Sequence, residues 1–189
     1  SGARASINSF QEYQQVLQAL LAKAEQLQLP KPWHLLGQST GGAIAFDYLL
    51  NQSPVSQLGE TILLAPLVRP RAWQQSKLLY QLVKPFRRSV PRSFSNNSND
   101  AAFVEFVRND PLQARILPTA WVGALAEWIS YIEQAKPSGR SPIIVQGDAD
   151  MTVDWQHNLN VLNEKFNQPS LLLLPGARHH LANEHSAMR

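Results

Sequence analysis

The chain has 189 residues, 44% of them hydrophobic, with 17 Lys and Arg against 14 Asp and Glu for a net charge of +3. That is enough for one globular domain with a real core. No run has the length and composition of a transmembrane helix, and no signal peptide is visible. With no cysteine, a disulfide framework and a thiolate metal site are excluded. A reducing, cytoplasmic compartment is the expectation, with any leader before Ser1 left open. The charge is too mild, and too little accompanied by any recognisable module, to point to nucleic acid.

Residues 9–28 read as an amphipathic helix. Ser9 and Glu12 have capping-box spacing, and Phe10, Tyr13, Val16, Leu17, Leu20, Leu21 and Ala24 repeat at helical intervals. Pro30 and Pro32 end it. A strand is expected over 33–37, a helix over 41–51 and a buried strand over 59–65, stopped by Pro66. Residues 67–118 lose this rhythm. They are rich in Pro, Arg, Ser and Asn, with short amphipathic pieces at 72–83 and 100–108 and a polar loop at 93–99. A helix over 118–135 follows, with Trp121, Leu125, Trp128, Ile129 and Ile132 on one side. A strand over 142–145, a helix over 154–166 and a strand over 170–174 complete the pattern. Buried apolar strands alternating with helices predict a parallel α/β sheet. The expected organisation is a core part at 1–66, a cap inserted at 67–118 and a second core part at 119–189.

The chemistry centres on Gly37-Gln38-Ser39-Thr40-Gly41, a Gly-x-Ser-x-Gly run between a strand and a helix. The bare pattern also occurs in ordinary Gly-rich turns. In a nucleophile elbow the serine sits on a tight, strained turn, which favours Gly two positions away on either side, here Gly37 and Gly41. A serine nucleophile needs a base, and the base an orienting acid. Two later strands each end in candidates: Gly147-Asp148-Ala149-Asp150 and Pro175-Gly176-Ala177-Arg178-His179-His180. Both lie at the carboxyl edge of the sheet, where open α/β folds build sites. Asp150, on the far side of its turn, is favoured as the acid. Asp148 is expected to face solvent or cap the turn, and Asp154 to cap the following helix. His179 is favoured as the base, with His180 flanking it. His34 is expected to be structural, and His157 and His185 to lie on the surface.

Taken together, these three motifs resemble the α/β-hydrolase superfamily. More narrowly, they resemble its monoacylglycerol lipase and lysophospholipase-like, or serine aminopeptidase-like, branch. Glu184 after the Gly-Ala-Arg-His turn and Asn109-Asp110-Pro111-Leu112 are the narrower hints. The resemblance implies an α/β-hydrolase-type parallel sheet of about four strands, the C-terminal half of such a fold, with a helical cap after the second strand. It implies a serine ester hydrolase acting on a small ester or lipid, with Ser39, Asp150 and His179 catalytic and the Thr40 amide as one oxyanion donor. No metal or organic cofactor is implied. The second oxyanion donor and the strands before the elbow would lie ahead of Ser1, leaving the first strand an apolar edge. The final helix would be cut short at Arg189. Other acyl-transfer chemistry on the same fold (thioesterase, peptidase, acyltransferase) and an inactive binding fragment remain alternatives. Ser rather than Asp at position 39 disfavours haloalkane-type hydrolysis.

From Arg69 to Arg92 the chain carries seven basic residues and no acidic one, interleaved with Trp73, Leu78, Leu79, Tyr80, Leu82, Val83 and Phe86. Two arrangements are open. A lid could touch lipid interfaces transiently, with its cations near anionic headgroups. Alternatively, a cap could pack its apolar side over the site and leave its basic side solvated.

Overall fold

The structure, a computed structural model, describes residues 6–52, 56–92 and 95–188. Four parallel strands form the central sheet: β1 (Trp33–Gln38), β2 (Leu58–Leu64), β5 (Ile143–Gly147) and β6 (Ser170–Leu174), ordered β1-β2-β5-β6. The expected parallel α/β sheet is present. Helices α1 (Gln11–Gln26), α2 (Thr40–Asn51), α5 (Thr119–Gln134) and α6 (Trp155–Lys165) flank it. Between β2 and α5 lie α3 (Trp73–Val83), α4 (Ala101–Asn109) and an antiparallel ribbon of β3 (Ser89–Pro91) with β4 (Ile116–Pro118). The ribbon was not anticipated, since three-residue strands bearing proline give no alternation to read. Ser93 and Phe94 of the expected 93–99 loop, and Ser1–Gly2 at the start, lie outside the described residues.

The core is aromatic where α1, α2 and α5 meet. Phe10 stacks on Trp128 with ring centroids 4.7 Å apart, and Phe46 packs edge-on against both Trp128 and Phe166. Both indole N–H groups there are matched: Trp128 Nε1 donates to Asp47 Oδ2 at 2.9 Å, and Trp121 Nε1 donates to Tyr13 Oη at 3.0 Å. Burial holds the Asp47 carboxyl above its usual range, against the lowering effect of its hydrogen bonds from Asn51, Trp128 and Gln14.

Three readings of the sequence are corrected. The Ser9–Glu12 capping box is displaced by one residue. Phe10 already has helical φ/ψ, so the Ser9 hydroxyl accepts from the Gln11 amide, and Glu12 accepts from the Asn8 amide. The apolar face of α1 is narrower than its spacing suggests. Val16 and Leu20 are exposed, whereas Gln14 is fully buried and donates to the Ile44 carbonyl at 3.0 Å. The last strand is not buried: β1 is the apolar edge expected of it, and β6 is the opposite edge. Leu36 on β1 is 65% exposed, and Leu171, Leu172 and Leu173 on β6 are also exposed. A run of leucines looks the same in a central strand and in an edge strand; only the strand order separates them.

Candidate active site

β1 leads straight into the turn that carries Ser39, and α2 begins at Thr40. Ser39 has φ 54° and ψ −115°, a conformation that costs a non-glycine residue about 1–3 kcal/mol. The surrounding backbone holds it there. The Ser39 amide donates to the Leu64 carbonyl at 2.9 Å, and its carbonyl accepts from Ala43 and Leu67, both at 3.0 Å. The two elbow glycines are not equivalent. A Cβ on Gly37 would lie 2.3 Å from the Gly41 carbonyl oxygen, so glycine is required there. A Cβ on Gly41 would meet nothing within 4 Å. The expected steric need at Gly41 is therefore absent: it is the backbone of Gly41 that crowds Gly37. Gly42 is the tighter position, with its Cβ direction 3.0 Å from Pro66.

β5 ends in the acid loop and β6 in the histidine loop, and the two meet closely. A Cβ on Gly147 would lie 2.2 Å from the Ala177 carbonyl oxygen. The Ala149 amide donates to the same carbonyl at 3.0 Å, and Asp148 accepts from the Gly176 amide at 2.7 Å. Asp148 thus caps the neighbouring turn, and Asp154 caps α6. His34 accepts from the Glu60 amide at 3.1 Å, a structural contact, and His185 is exposed. His157 is not an open surface residue. Its Nε2 lies 2.9 Å from Glu133, which also makes a bidentate pair with Arg69.

The structure brings Ser39, His179 and Asp150 together. His179 Nε2 lies 2.9 Å from Ser39 Oγ, and His179 Nδ1 lies 2.8 Å from Asp150 Oδ2. His179 and Asp150 are each only 3% exposed, while Ser39 is partly buried. Both oxygens of Asp150 are filled. Oδ2 also accepts from Gln146 Nε2 at 3.1 Å, and Oδ1 accepts from the amides of Thr152 and Val153 at 2.8 and 3.2 Å. Burial pushes the Asp150 carboxyl up. The hydrogen bond and charge of His179 and the two amides outweigh this, leaving it below its ordinary 3.8. Asp150 is therefore held ionised, with an acceptor for the His179 Nδ1 proton. That leaves Nε2 free to accept from Ser39. The Thr40 amide lies in the first turn of α2, where an amide has no carbonyl a turn back along the helix to bond.

Gln38, read only as the variable position of the motif, has a job of its own. Its Nε2 lies 3.0 Å from His180 Nδ1 and donates to the His179 carbonyl at 3.3 Å. With Gln38 donating, His180 is neutral and carries its proton on Nε2. Burial and the nearby His179 charge hold His180 below its ordinary 6.5. No signal in the motif marks Gln38, because its partners are 141 and 142 residues away.

A family model described as "Serine aminopeptidase, S33", a hydrolase family, matches residues 1–186. The chain belongs to this family. As an S33-family protein it shares its fold with solved α/β-hydrolases. The monoacylglycerol lipase of Paleococcus ferrophilus superposes with a TM-score of 0.78 at 13% identity, over 94% of this chain and 70% of that one. A soluble variant of the Saccharomyces cerevisiae monoglyceride lipase, in complex with a substrate analogue, superposes with a TM-score of 0.74 at 18% identity, over 95% and 64%. A carboxyl esterase from Bacillus coagulans gives 0.61 at 17% identity, over 90% and 64%. The S33 chain thus spans about two thirds of the length of these structures. No curated protein matches it. No helix among the described residues is long and apolar enough to cross a membrane.

Proposed function

We propose that this S33-family chain carries the catalytic centre of a serine hydrolase that cleaves carboxylic esters through an acyl-serine intermediate. The observation that carries the reading is the His179 ring, with one nitrogen 2.9 Å from Ser39 Oγ and the other 2.8 Å from Asp150 Oδ2. His179 Nε2 takes the Ser39 proton as Oγ attacks the ester carbonyl. Asp150 holds the tautomer and stabilises the imidazolium. The Thr40 amide donates to the developing oxyanion; one such donor contributes about 3 kcal/mol. The proton then passes from Nε2 to the departing alcohol. Water, deprotonated by His179, attacks the acyl-serine, releasing the acid and returning the proton to Ser39.

A lipid-like ester, such as a monoacylglycerol or lysophospholipid, is the substrate class favoured. Its support is the segment between β2 and α5, read as a cap. Along α3 and just beyond it, Leu78, Leu79, Leu82 and Phe86 form one exposed stripe, beside Lys84, Arg87 and Arg88, which are also exposed. Of the two arrangements open from the sequence, this exposure favours transient contact with a lipid surface. Trp73 alone of the α3 side chains is buried. Arg69 does not join the basic stripe, because Glu133 neutralises it.

The test is a substrate panel on the full-length protein. Acyl esters should turn over, and aminoacyl-anilides and acyl thioesters should be poor. Ser39→Ala should lose ester hydrolysis by about 10⁴-fold or more. Faster cleavage of aminoacyl-anilides than of esters would move the assignment to a peptidase.

A further inference from the structure

Two polar features take no part in the chemistry above: a buried carboxylate after the histidine, and the Asn-rich segment that precedes α4. Glu184 is 1% exposed, and among the described residues no cation pairs with it. A buried carboxylate is costly unless donors fill its lone pairs. Here the donors are backbone amides. Oε1 accepts from Arg178 at 2.6 Å, and Oε2 accepts from Asn99 at 2.8 Å and from His185 at 3.4 Å. The first two amides come from distant parts of the chain. Arg178 directly precedes His179, and Asn99 belongs to the inserted segment. On the other side of His179, the His180 amide donates to the Asn97 carbonyl at 2.8 Å. Both amides flanking His179 are therefore held by residues 97–99, one directly and one through Glu184. Asn97 also reaches the acid loop. Its Oδ1 accepts from the Thr152 hydroxyl at 2.9 Å, and the Thr152 amide donates to Asp150 Oδ1 at 2.8 Å.

We infer that Glu184 and Asn97 are positioning residues that clasp the inserted segment to the His179–Asp150 pair and set the reach of His179 to Ser39. The inference rests on the Ser39–His179–Asp150 reading. The clasp spans the three pieces of chain that must keep register for a proton to pass: the acid loop, the histidine loop and residues 97–99. A displacement of about 1 Å in such a site costs on the order of a hundredfold in rate. A segment bonded to both sides of the histidine transmits its own movement to that distance.

The test uses full-length protein carrying Glu184→Gln or Asn97→Ala, with Leu162→Ala as a control. Leu162 is a fully buried core residue on α6, so its truncation destabilises the fold without touching the clasp. Gln at 184 keeps the volume but sets an NH₂ group against one of the amides. The expected result is a fall in kcat on a soluble ester of about tenfold to a hundredfold with KM unchanged. The low-field proton resonance of His179 Nδ1–H should also shift or broaden. Leu162→Ala should keep both near wild type at a matched loss of stability. Wild-type kcat and resonance in Glu184→Gln would overturn the inference. So would an equal kcat loss in Leu162→Ala, since activity would then follow stability alone. Should Glu184→Gln fail to fold, Glu184→Asp, which keeps the charge but shortens the reach to the Arg178 and Asn99 amides, carries the same readouts, and an unchanged resonance there overturns the inference. The resonance is read without substrate. A chain that turns over no ester yet shows the shift keeps the clasp and loses only the ester-hydrolase reading.

Discussion

Gly147 and Gly37 mark the closest backbone approaches around the site, and each sits where an added methyl has nowhere to go. A Cβ at 147 would lie 2.2 Å from the Ala177 oxygen, so Gly147→Ala must push the acid and histidine loops apart. The expected cost is about 1–3 kcal/mol of stability, read by urea unfolding, with a larger fractional loss of esterase rate because the His179–Asp150 contact spans the same gap. Gly37→Ala should cost as much, since its Cβ would lie 2.3 Å from the Gly41 oxygen, whereas Gly41→Ala meets open space and should cost far less. This contrast was not legible in a motif that writes both glycines alike. That Ser39, Asp150 and His179 meet was legible because each falls just beyond the carboxyl end of a strand. Gln38, Asn97 and the amides around Glu184 were not, because their partners are set by tertiary packing. Acid sensitivity also belongs to this scale. His180 is held below 6.5 in the folded state, so the unfolded chain binds more protons at that position as pH falls. Its contribution to stability is present above 6.5 and is lost as pH drops from there toward the folded value. His180→Gln should therefore flatten the decline in thermal midpoint that begins near pH 6.5, while the loss tied to Asp150, whose carboxyl is held below 3.8, should persist at lower pH.

At the scale of elements, α3 is the part whose sequence and placement disagree most usefully. Its leucines repeat at helical spacing, which in most helices marks a face turned to the core. Here Leu82 is 63% exposed and Phe86, just beyond the helix, is 86% exposed. Periodicity shows that a helix has an apolar face but not what covers it, so this could not be settled before the packing was known. The same ambiguity misplaced Val16 and Leu20 on α1. By contrast α5 was legible: of the face expected, Leu125, Trp128, Ile129 and Ile132 are buried and Trp121 is partly buried. If the α3 stripe serves a lipid interface, Leu82→Glu with Phe86→Glu should lower hydrolysis of an emulsified long-chain ester several-fold and leave a soluble short-chain ester unchanged. Equal rates on both substrates would remove the interfacial role.

For the whole molecule, the sheet brings one loop from each of β1, β5 and β6 to a single edge, and the candidate centre is assembled there from residues 140 positions apart. Strand type and parallel pairing were legible from the alternation of apolar runs and helices, and the resemblance implied the edge position of β1; the edge position of β6 was not legible. The outermost strands present Leu36 on one side and Leu171, Leu172 and Leu173 on the other to solvent. Unpaired apolar edges of this kind promote association, and lysine on an edge opposes it. The 189-residue chain is therefore expected to self-associate in sedimentation velocity, and Leu36→Lys with Leu172→Lys to shift it toward monomer. Whether Ser39 is a nucleophile activated by His179 is read by treating the full-length protein with a fluorophosphonate and mapping the adduct by peptide mass spectrometry. The expected result is a single phosphonylated serine, Ser39, with labelling lost in Ser39→Ala and strongly slowed in His179→Ala. An adduct on another residue, or equal labelling of Ser39→Ala and wild type, would contradict it.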